Sequence, residues 1–438
     1  MPTFAIVTLG CPKNTVDSEG MAQLLVQAGY ECTPDTREAD VVIVNTCGFI
    51  ESAKRESVDA LARLSTRKRR GQVVIAAGCL TERYGSELSA EMPEVDGVLG
   101  TLRWGDIREV VAEARAGKRP CWTGPAETEA AAARAATSTT AYVKIAEGCD
   151  ATCAFCAIPS IKGPYRSKAM PAILEEARQL AAGGVKEIVL IAQDTSVYGR
   201  DLGLNDGLAH LLEALVEAVP TVPWLRVMYA YPSTITPRLI ETIAAHPRIV
   251  KYLDLPLQHS HPDVLRRMRR PLNGRDVVEQ LRAAMPDIAL RTTLIVGFPG
   301  ETDGEFAHLL SFVEEIGFDR LGAFPYSKEE GTLAAGMPRQ VPKRVKVRRY
   351  RELMQLQQRI SHKRNQALIG KELDVLVEPA ATTRALPFGC VALGRSYRDA
   401  PEVDGLVYLD KPVPAGTMVR ARIANAMAYD VVGEMVKH

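Results

Sequence analysis

Cys149, Cys153 and Cys156 stand in the run Cys149-Asp-Ala-Thr-Cys153-Ala-Phe155-Cys156, separated by three and then two residues. A short loop with that spacing turns all three sulfurs to one side. Thiolates so grouped can take three corners of an iron–sulfur cube. A four-iron cluster usually takes four cysteines, so with three one iron keeps an open position. An open iron can bind and reduce a small molecule, which points to chemistry and not to electron storage alone. The competing reading is structural zinc, which normally closes with four protein ligands. No fourth Cys or His lies within ten residues of the trio, and His259 and His261 sit in a different segment.

A chain of 438 residues has room for about three domains. Its 46% hydrophobic and 24% charged content is ordinary for globular proteins, and a net charge of +1 announces no global field for nucleic acid or membrane. No apolar run approaches the roughly 20 residues of a spanning helix, so no membrane partner is expected. Met1–Gly10 has no basic n-region of a secretory signal. Nine cysteines in such a chain favour metal ligation over disulfides and a cytoplasmic location.

Three apolar runs in the first 100 residues each end at a cysteine. Phe4–Leu9 leads to Gly10-Cys11-Pro12-Lys13-Asn14, Asp40–Val44 to Asn45-Thr46-Cys47-Gly48, and Val73–Ala77 to Gly78-Cys79-Leu80. Helical stretches at 16–28 and 52–69 separate them, which predicts a doubly wound parallel sheet. Parallel strands end on one edge, where open α/β sheets carry their ligand sites. Cys11, Cys47 and Cys79 are therefore predicted to converge. A lone cysteine would read as a small buried residue; Cys32, Cys121 and Cys390 follow no comparable strand and are assigned to packing.

The first trio has the spacing of the radical S-adenosylmethionine (SAM) enzymes, and the three strand-end motifs resemble the N-terminal domain of the methylthiotransferases. The likeness runs over essentially the whole chain and is greatest to the ribosomal, RimO-type branch. It implies two 4Fe–4S clusters facing one chamber, one held by Cys149, Cys153 and Cys156, the other by Cys11, Cys47 and Cys79. It also implies SAM chelated at the open iron of the first cluster, with Phe155 near the adenine. Lys162 and Lys168 depart from the family pattern, which has arginines around Gly163-Pro164-Tyr165-Arg166-Ser167.

Residues 126–140 read as a linker between a domain at 1–125 and a central domain at 141–366. In the latter, strands are predicted at 142–145, 187–191, 224–229, 252–257, 290–296 and 320–325, with helices between, as in a partial (β/α)6 barrel whose functional face lies at the strand C-terminal ends. Gln193, Asp194, Gly297 and Glu301 follow such ends; the resemblance makes them SAM contacts, while an ordinary loop cap is the plain alternative. His259 reads as a hydrogen-bonded surface or rim residue. The stretch 342–366 is a basic amphipathic helix, with a solvated face as the default and ribosomal RNA contact as the functional reading.

From residue 370 to 438 short β segments at 373–377, 390–393, 406–409 and 418–423 resemble the small OB-like barrel called TRAM. Residues 371–438 hold eight Lys/Arg against nine Asp/Glu, and Asp399-Ala-Pro-Glu402-Val-Asp404 reads as an open acidic face. Such a face suits a basic protein and disfavours RNA, which demands a basic surface. The resemblance thus implies methylthiolation of the β-carbon of an aspartate in small-subunit ribosomal protein twelve, free or in its subunit. A second SAM would give the methyl group and a flavodoxin or ferredoxin the electrons. The alternatives are methylthiolation of isopentenyladenosine in tRNA, or a non-catalytic metal-cluster protein that binds RNA or ribosomes.

Overall fold

Val41, Val42, Ile43 and Val44 are 0–1% exposed, as a strand covered on both faces requires. In a computed structural model, which describes residues 1–126, 134, 136, 138–379 and 386–436, this strand is central to a parallel sheet. The chain packs as two units: Met1–Ala135 with Tyr142–Lys168 and Ser327–Ala335, and Ala136–Ala141 with Ala169–Tyr326 and Gly336–His438. The segment of the first cysteine trio thus groups with the N-terminal residues. Most of the expected 126–140 linker lies outside the described residues. No helix among the described residues is long and apolar enough to cross a membrane.

In the first unit β1 (Thr3–Thr8), β2 (Glu31–Cys32), β3 (Val41–Thr46), β4 (Val73–Gly78), β5 (Gly97–Gly100) and β6 (Cys121–Trp122) lie in the order β2-β1-β3-β4-β5-β6, all parallel. Helices α1 (Pro12–Gln27), α2 (Glu51–Ser65), α3 (Cys79–Glu91) and α4 (Ile107–Arg115) alternate with them. Two apolar clusters, one on each face, form the core: Phe4, Met21 and Ile43 belong to one, Val42, Leu61 and Val74 to the other. Thr8 pairs with Asn45 and Thr46 with Gly78, so the three long strands end level. Cys32 and Cys121 are exposed, not packed as expected. They sit in two-residue edge strands, too short to be covered. Cys390 is buried.

In the second unit β10 (Glu187–Ile191), β11 (Trp224–Val227), β12 (Ile249–Asp254), β13 (Ala289–Val296) and β14 (Arg320–Pro325) run parallel in sequence order. Strand β7 (Thr140–Lys144), whose first two residues belong to this unit, completes that six-stranded sheet beside β10. Helices α6 (Met170–Ala182), α7 (Gly207–Ala218), α8 (Pro237–Ala245), α9 (Pro262–Met268), α10 (Gly274–Ala284) and α11 (Asp303–Ile316) lie between the strands. Thr302 and Glu305 form a capping box that starts α11. The long helix α12 (Lys343–Gln366) buries Leu353 and Leu356 and exposes Lys343, Arg344, Arg351 and Arg359, the amphipathic pattern its spacing predicts.

Strands β15 (Glu372–Val377), β16 (Ala392–Ser396), β17 (Val407–Leu409), β18 (Met418–Ala426) and β19 (Val431–Met435) close the small barrel in the order β15-β16-β17-β19-β18. The last strand was not among those predicted; it lies between β17 and β18, pairs with both and so removes the open edge. The 399–404 segment is not the open acidic face expected. Asp399 takes Nε of Arg320 at 3.0 Å, and Asp404, its side chain 2% exposed, accepts from Tyr252 Oη at 2.7 Å and pairs with Arg291 at 3.4 Å. Two carboxylates that look free in sequence are sequestered because arginines at the start of β14 and within β13 need counter-charges. Only Glu402 of the three is exposed.

Candidate metal centres

Level strand ends put three loops together. Helix α1 starts at Pro12 with Cys11 as its extended N-cap, so the chain turns sharply after β1. Gly10 has φ +96°, and a Cβ there would stand 2.7 Å from Cys47 Cβ and 3.1 Å from Cys47 Sγ. A Cβ on Gly48 would stand 2.7 Å from Leu80 Cα. The Cys11 and Cys79 loops thus both close on the Cys47 loop at distances only glycine permits.

Two asparagines stitch this edge. Asn14, 1% exposed, donates from Nδ2 to Leu9 O at 2.8 Å and Thr46 O at 3.0 Å, and its Oδ1 accepts from Cys79 Sγ at 3.8 Å. Asn45 donates to Asn14 O at 2.8 Å and Ser18 Oγ at 2.9 Å. Ser57 of α2 clamps Cys47, accepting from its N–H at 2.9 Å and donating to its C=O at 3.0 Å. The sequence reading gave none of these a role, although Asn14 and Asn45 lie inside the motifs that it used.

Burial pushes the Cys79 thiol up to about 12, with the Lys162 ammonium pulling it down and Cys11 and Cys47 adding to the rise. Burial also raises Cys47, and Cys11 adds to it. A buried thiol of this sort needs a strong electrophile to replace its proton, which is what a metal does.

The other trio sits in a closed loop. Strand β8 (Ala146–Glu147) pairs antiparallel with β9 (Arg166–Ser167), and Lys168 N–H donates to Ile145 O at 2.8 Å. Inside, Cys149 N–H donates to Gly163 O at 3.1 Å, Cys156 N–H to Cys153 O at 3.2 Å, and Tyr165 N–H to Asp150 Oδ1 at 2.9 Å. Helix α5 (Ile158–Lys162) follows at once. Phe155 is half-buried between its two cysteines. All nine cysteines are free thiols. Two sets of three, one on a single braced loop and one on three loops that close on one another, are donor sets that each fit a four-iron cluster with one open iron.

The two trios lie in one unit. Cys79 packs with Ala157, which directly follows Cys156, and with Ile161 one turn further on. A strap at 327–335 braces both sides. Ala334 N–H donates to Ala154 O at 2.8 Å, while Glu329, 2% exposed, accepts from Glu51 N–H at 2.8 Å and pairs with Lys54 at 3.1 Å and Arg83 at 3.2 Å. Arg83 also donates to Gly48 O at 3.0 Å.

In the second unit the four predicted SAM contacts follow strand ends. Asp194 accepts from Ser196 N–H at 3.0 Å and Ser196 Oγ at 2.6 Å, the geometry of a loop cap. Gln193 is half-buried beside it. Gly297 has φ +72°, and Glu301 Oε2 accepts from its N–H at 2.8 Å and from Phe298 N–H at 3.3 Å. Burial pushes the Glu301 carboxyl up to about 7 against the pull of Arg349, which donates to Oε1 at 2.8 Å. Glu301 therefore holds the Gly297 turn. His259 is 1% exposed, not at the surface as expected, and burial drives it down to about 3, so it is neutral. It accepts at Nδ1 from His261 N–H at 3.0 Å.

Three profiles match the chain: Uncharacterized protein family UPF0004 over residues 3–100, Radical SAM superfamily over 143–313, and TRAM domain over 369–436. The chain is 49% identical to a protein of Roseiflexus sp. (strain RS-1) named ribosomal protein uS12 methylthiotransferase RimO, covering 99% of this chain and 97% of that one. The protein of the same name from Chloroflexus aurantiacus is 48% identical, covering 98% and 99%. Among solved structures the radical SAM methyltransferase TsrM from Kitasatospora setae matches with a TM-score of 0.53 at 12% identity, over 74% of this chain and 75% of that one. The cobalamin-dependent SAM radical enzyme OxsB matches with a TM-score of 0.51 at 11% identity, over 76% and 54%. At such identities these two speak for the fold alone.

Proposed function

The chain belongs to the RimO family of radical SAM methylthiotransferases, and on that premise we propose that it places a methylthio group on the β-carbon of an aspartate in ribosomal protein uS12. Its cofactors are SAM and two 4Fe–4S clusters. When bound they supply the one-electron chemistry that opens an unactivated C–H bond, which no acid or base side chain does at neutral pH.

The chain's own residues provide grip and placement. Cys149, Cys153 and Cys156 hold the cluster that takes SAM, with Phe155 against the adenine. Gln193 and Asp194 would contact the methionine part of SAM, and Glu301 holds the backbone turn at Gly297. Cys11, Cys47 and Cys79 would hold the second cluster. The observation that carries this reading is the packing of Cys79 on Ala157 and Ile161, which makes the two cysteine sets neighbours.

The substrate assignment is supported by the small barrel's surface. Arg420 pairs with Glu372 and Asp374, and Arg422 with Glu372, so these exposed arginines are already neutralised. A tRNA substrate would call for a net basic face there. The exposed cations of α12 support contact with ribosomal RNA beside the target.

The test is anaerobic reconstitution with iron and sulfide, chemical reduction, and SAM with small ribosomal subunits or tRNA in parallel. A methylthio mass gain on one aspartate of uS12, with 5′-deoxyadenosine formed, is expected. Modification of tRNA alone would transfer the substrate, and absence of 5′-deoxyadenosine would end the reading.

A further inference from the structure

Lys162 ends helix α5 on the loop of the first trio, and its side chain is 2% exposed. It is one of four charged groups closed into a ring. Lys144 Nζ lies 2.5 Å from Asp17 Oδ1 and 2.5 Å from Glu147 Oε2; Lys162 Nζ lies 3.0 Å from Glu147 Oε1 and 3.7 Å from Asp17 Oδ2. Thr101 Oγ1 accepts from Lys162 at 2.6 Å. Two ammonium and two carboxylate groups balance, which is how buried charges are tolerated.

The ring joins the two cysteine sets. Lys144, Glu147 and Lys162 flank Cys149, Cys153 and Cys156 in sequence, whereas Asp17 stands on α1, which starts just after Cys11. Ile161, next to Lys162, packs on Cys79, and Asn14, one turn before Asp17, accepts from Cys79 Sγ. The ring therefore joins the loop of the other trio to the helix whose Asn14 meets the buried Cys79 sulfur.

We propose that Lys162 is a positioning residue that sets the electrostatic surroundings of the centre held by Cys11, Cys47 and Cys79, opposed by Asp17. This rests on the reading of those three cysteines as cluster ligands. A fixed positive charge beside a cluster favours its reduced, more negative state and so raises its reduction potential. Lys162 and Asp17 face each other at 3.7 Å with opposite charges, so they bias the same surroundings in opposite senses. Burial works against the Lys162 charge, but Glu147 and Asp17 outweigh it, so the ammonium stays charged.

The test is EPR-monitored potentiometry of the full chain carrying both clusters, with SAM added to mark the signal of the first centre. Asp17→Asn removes the opposing anion and moves the second centre to a more positive midpoint. Lys162→Met combined with Asp17→Asn keeps the ring neutral and moves the midpoint back down from that of Asp17→Asn. Lys162→Arg keeps the charge and stays near wild type. A merely structural ring would move all variants the same way, or lower iron content without a shift of opposite signs; either result overturns the proposal. So does a shift confined to the SAM-responsive centre. Wild-type protein that binds only one cluster would instead remove the cysteine assignment beneath it.

Discussion

Arg395 of the small barrel places Nη2 2.6 Å from Oε2 of Glu187 on the first residue of β10, and both side chains are 3% exposed or less. Arg226 takes the other oxygen of Glu187 at 2.6 Å. Tyr252 Oη, Arg291 and Arg320 meet Asp404 and Asp399 from the same small barrel. The joint within this unit is made of buried charges where an apolar seam would be the common solution.

Glu187 is the keystone of that joint. Burial opposes its charge, but Arg226 and Arg395 outweigh burial and hold the carboxyl down at about 2, against 4.5 when free. Its contribution is therefore complete above pH 4.5 and fades as pH falls from there toward 2. Glu187→Gln strands two buried guanidinium groups and should cost about 3–5 kcal/mol at neutral pH. Urea unfolding at several pH values checks this: the gap between wild type and variant must narrow below pH 4.5, and a gap independent of pH would refute the assignment.

Glu301 has the opposite sign. Its carboxyl is raised from 4.5 to about 7 by burial, so the folded state holds the proton more tightly than the unfolded one. Stability from this group is full below pH 4.5 and is lost as pH rises through 7. Carboxyl-¹³C NMR of glutamate-labelled protein should show one resonance titrating near 7 that vanishes in Glu301→Gln. A spectrum in which all glutamates titrate near 4.5 would contradict it.

The cysteine sets should separate in iron counting. Cys79→Ala and Cys156→Ala should each lower iron per chain by about half, because each leaves one three-thiolate cluster intact. The Cys79→Ala protein should retain the SAM-responsive EPR signal and the Cys156→Ala protein should lose it. Equal loss of both centres in either variant would mean that one site, not two, is formed.

Glu329 ties the 327–335 strap to α2 and α3 through Glu51 N–H, Lys54 and Arg83. Replacing Glu329 with Ala removes charge-assisted hydrogen bonds and should cost about 1.5–3 kcal/mol. Hydrogen exchange should show the Glu51 amide losing protection while the amides of β3 keep theirs. Unchanged protection at Glu51 would count against the strap.

Cysteine spacing, and an apolar run before each of Cys11, Cys47 and Cys79, were legible in one dimension because both are local patterns. Strand C-termini share an edge whenever strands are parallel, so convergence of the three followed from the alternation of runs and helices. The same logic placed Gln193, Asp194, Gly297 and Glu301 at strand ends, yet could not reveal that Glu301 turns onto the Gly297 and Phe298 amides. Cys32 and Cys121 were misjudged because nothing local shows that their strands are two residues long.

Residue order alone thus determined which thiols share a loop or a strand-end edge, since loop length and strand direction bring them to one side with no help from distant contacts. Tertiary structure decided where each charge is compensated. Asp399 and Asp404 read as a solvent-facing acidic run until Arg320 and Arg291 are brought to them, and nothing local to Lys162 announces Asp17, 145 positions away, which is folded against it. The reason is range: a covalent loop constrains neighbours in sequence, whereas a buried charge is stable only beside a partner that folding brings to it from elsewhere in the chain.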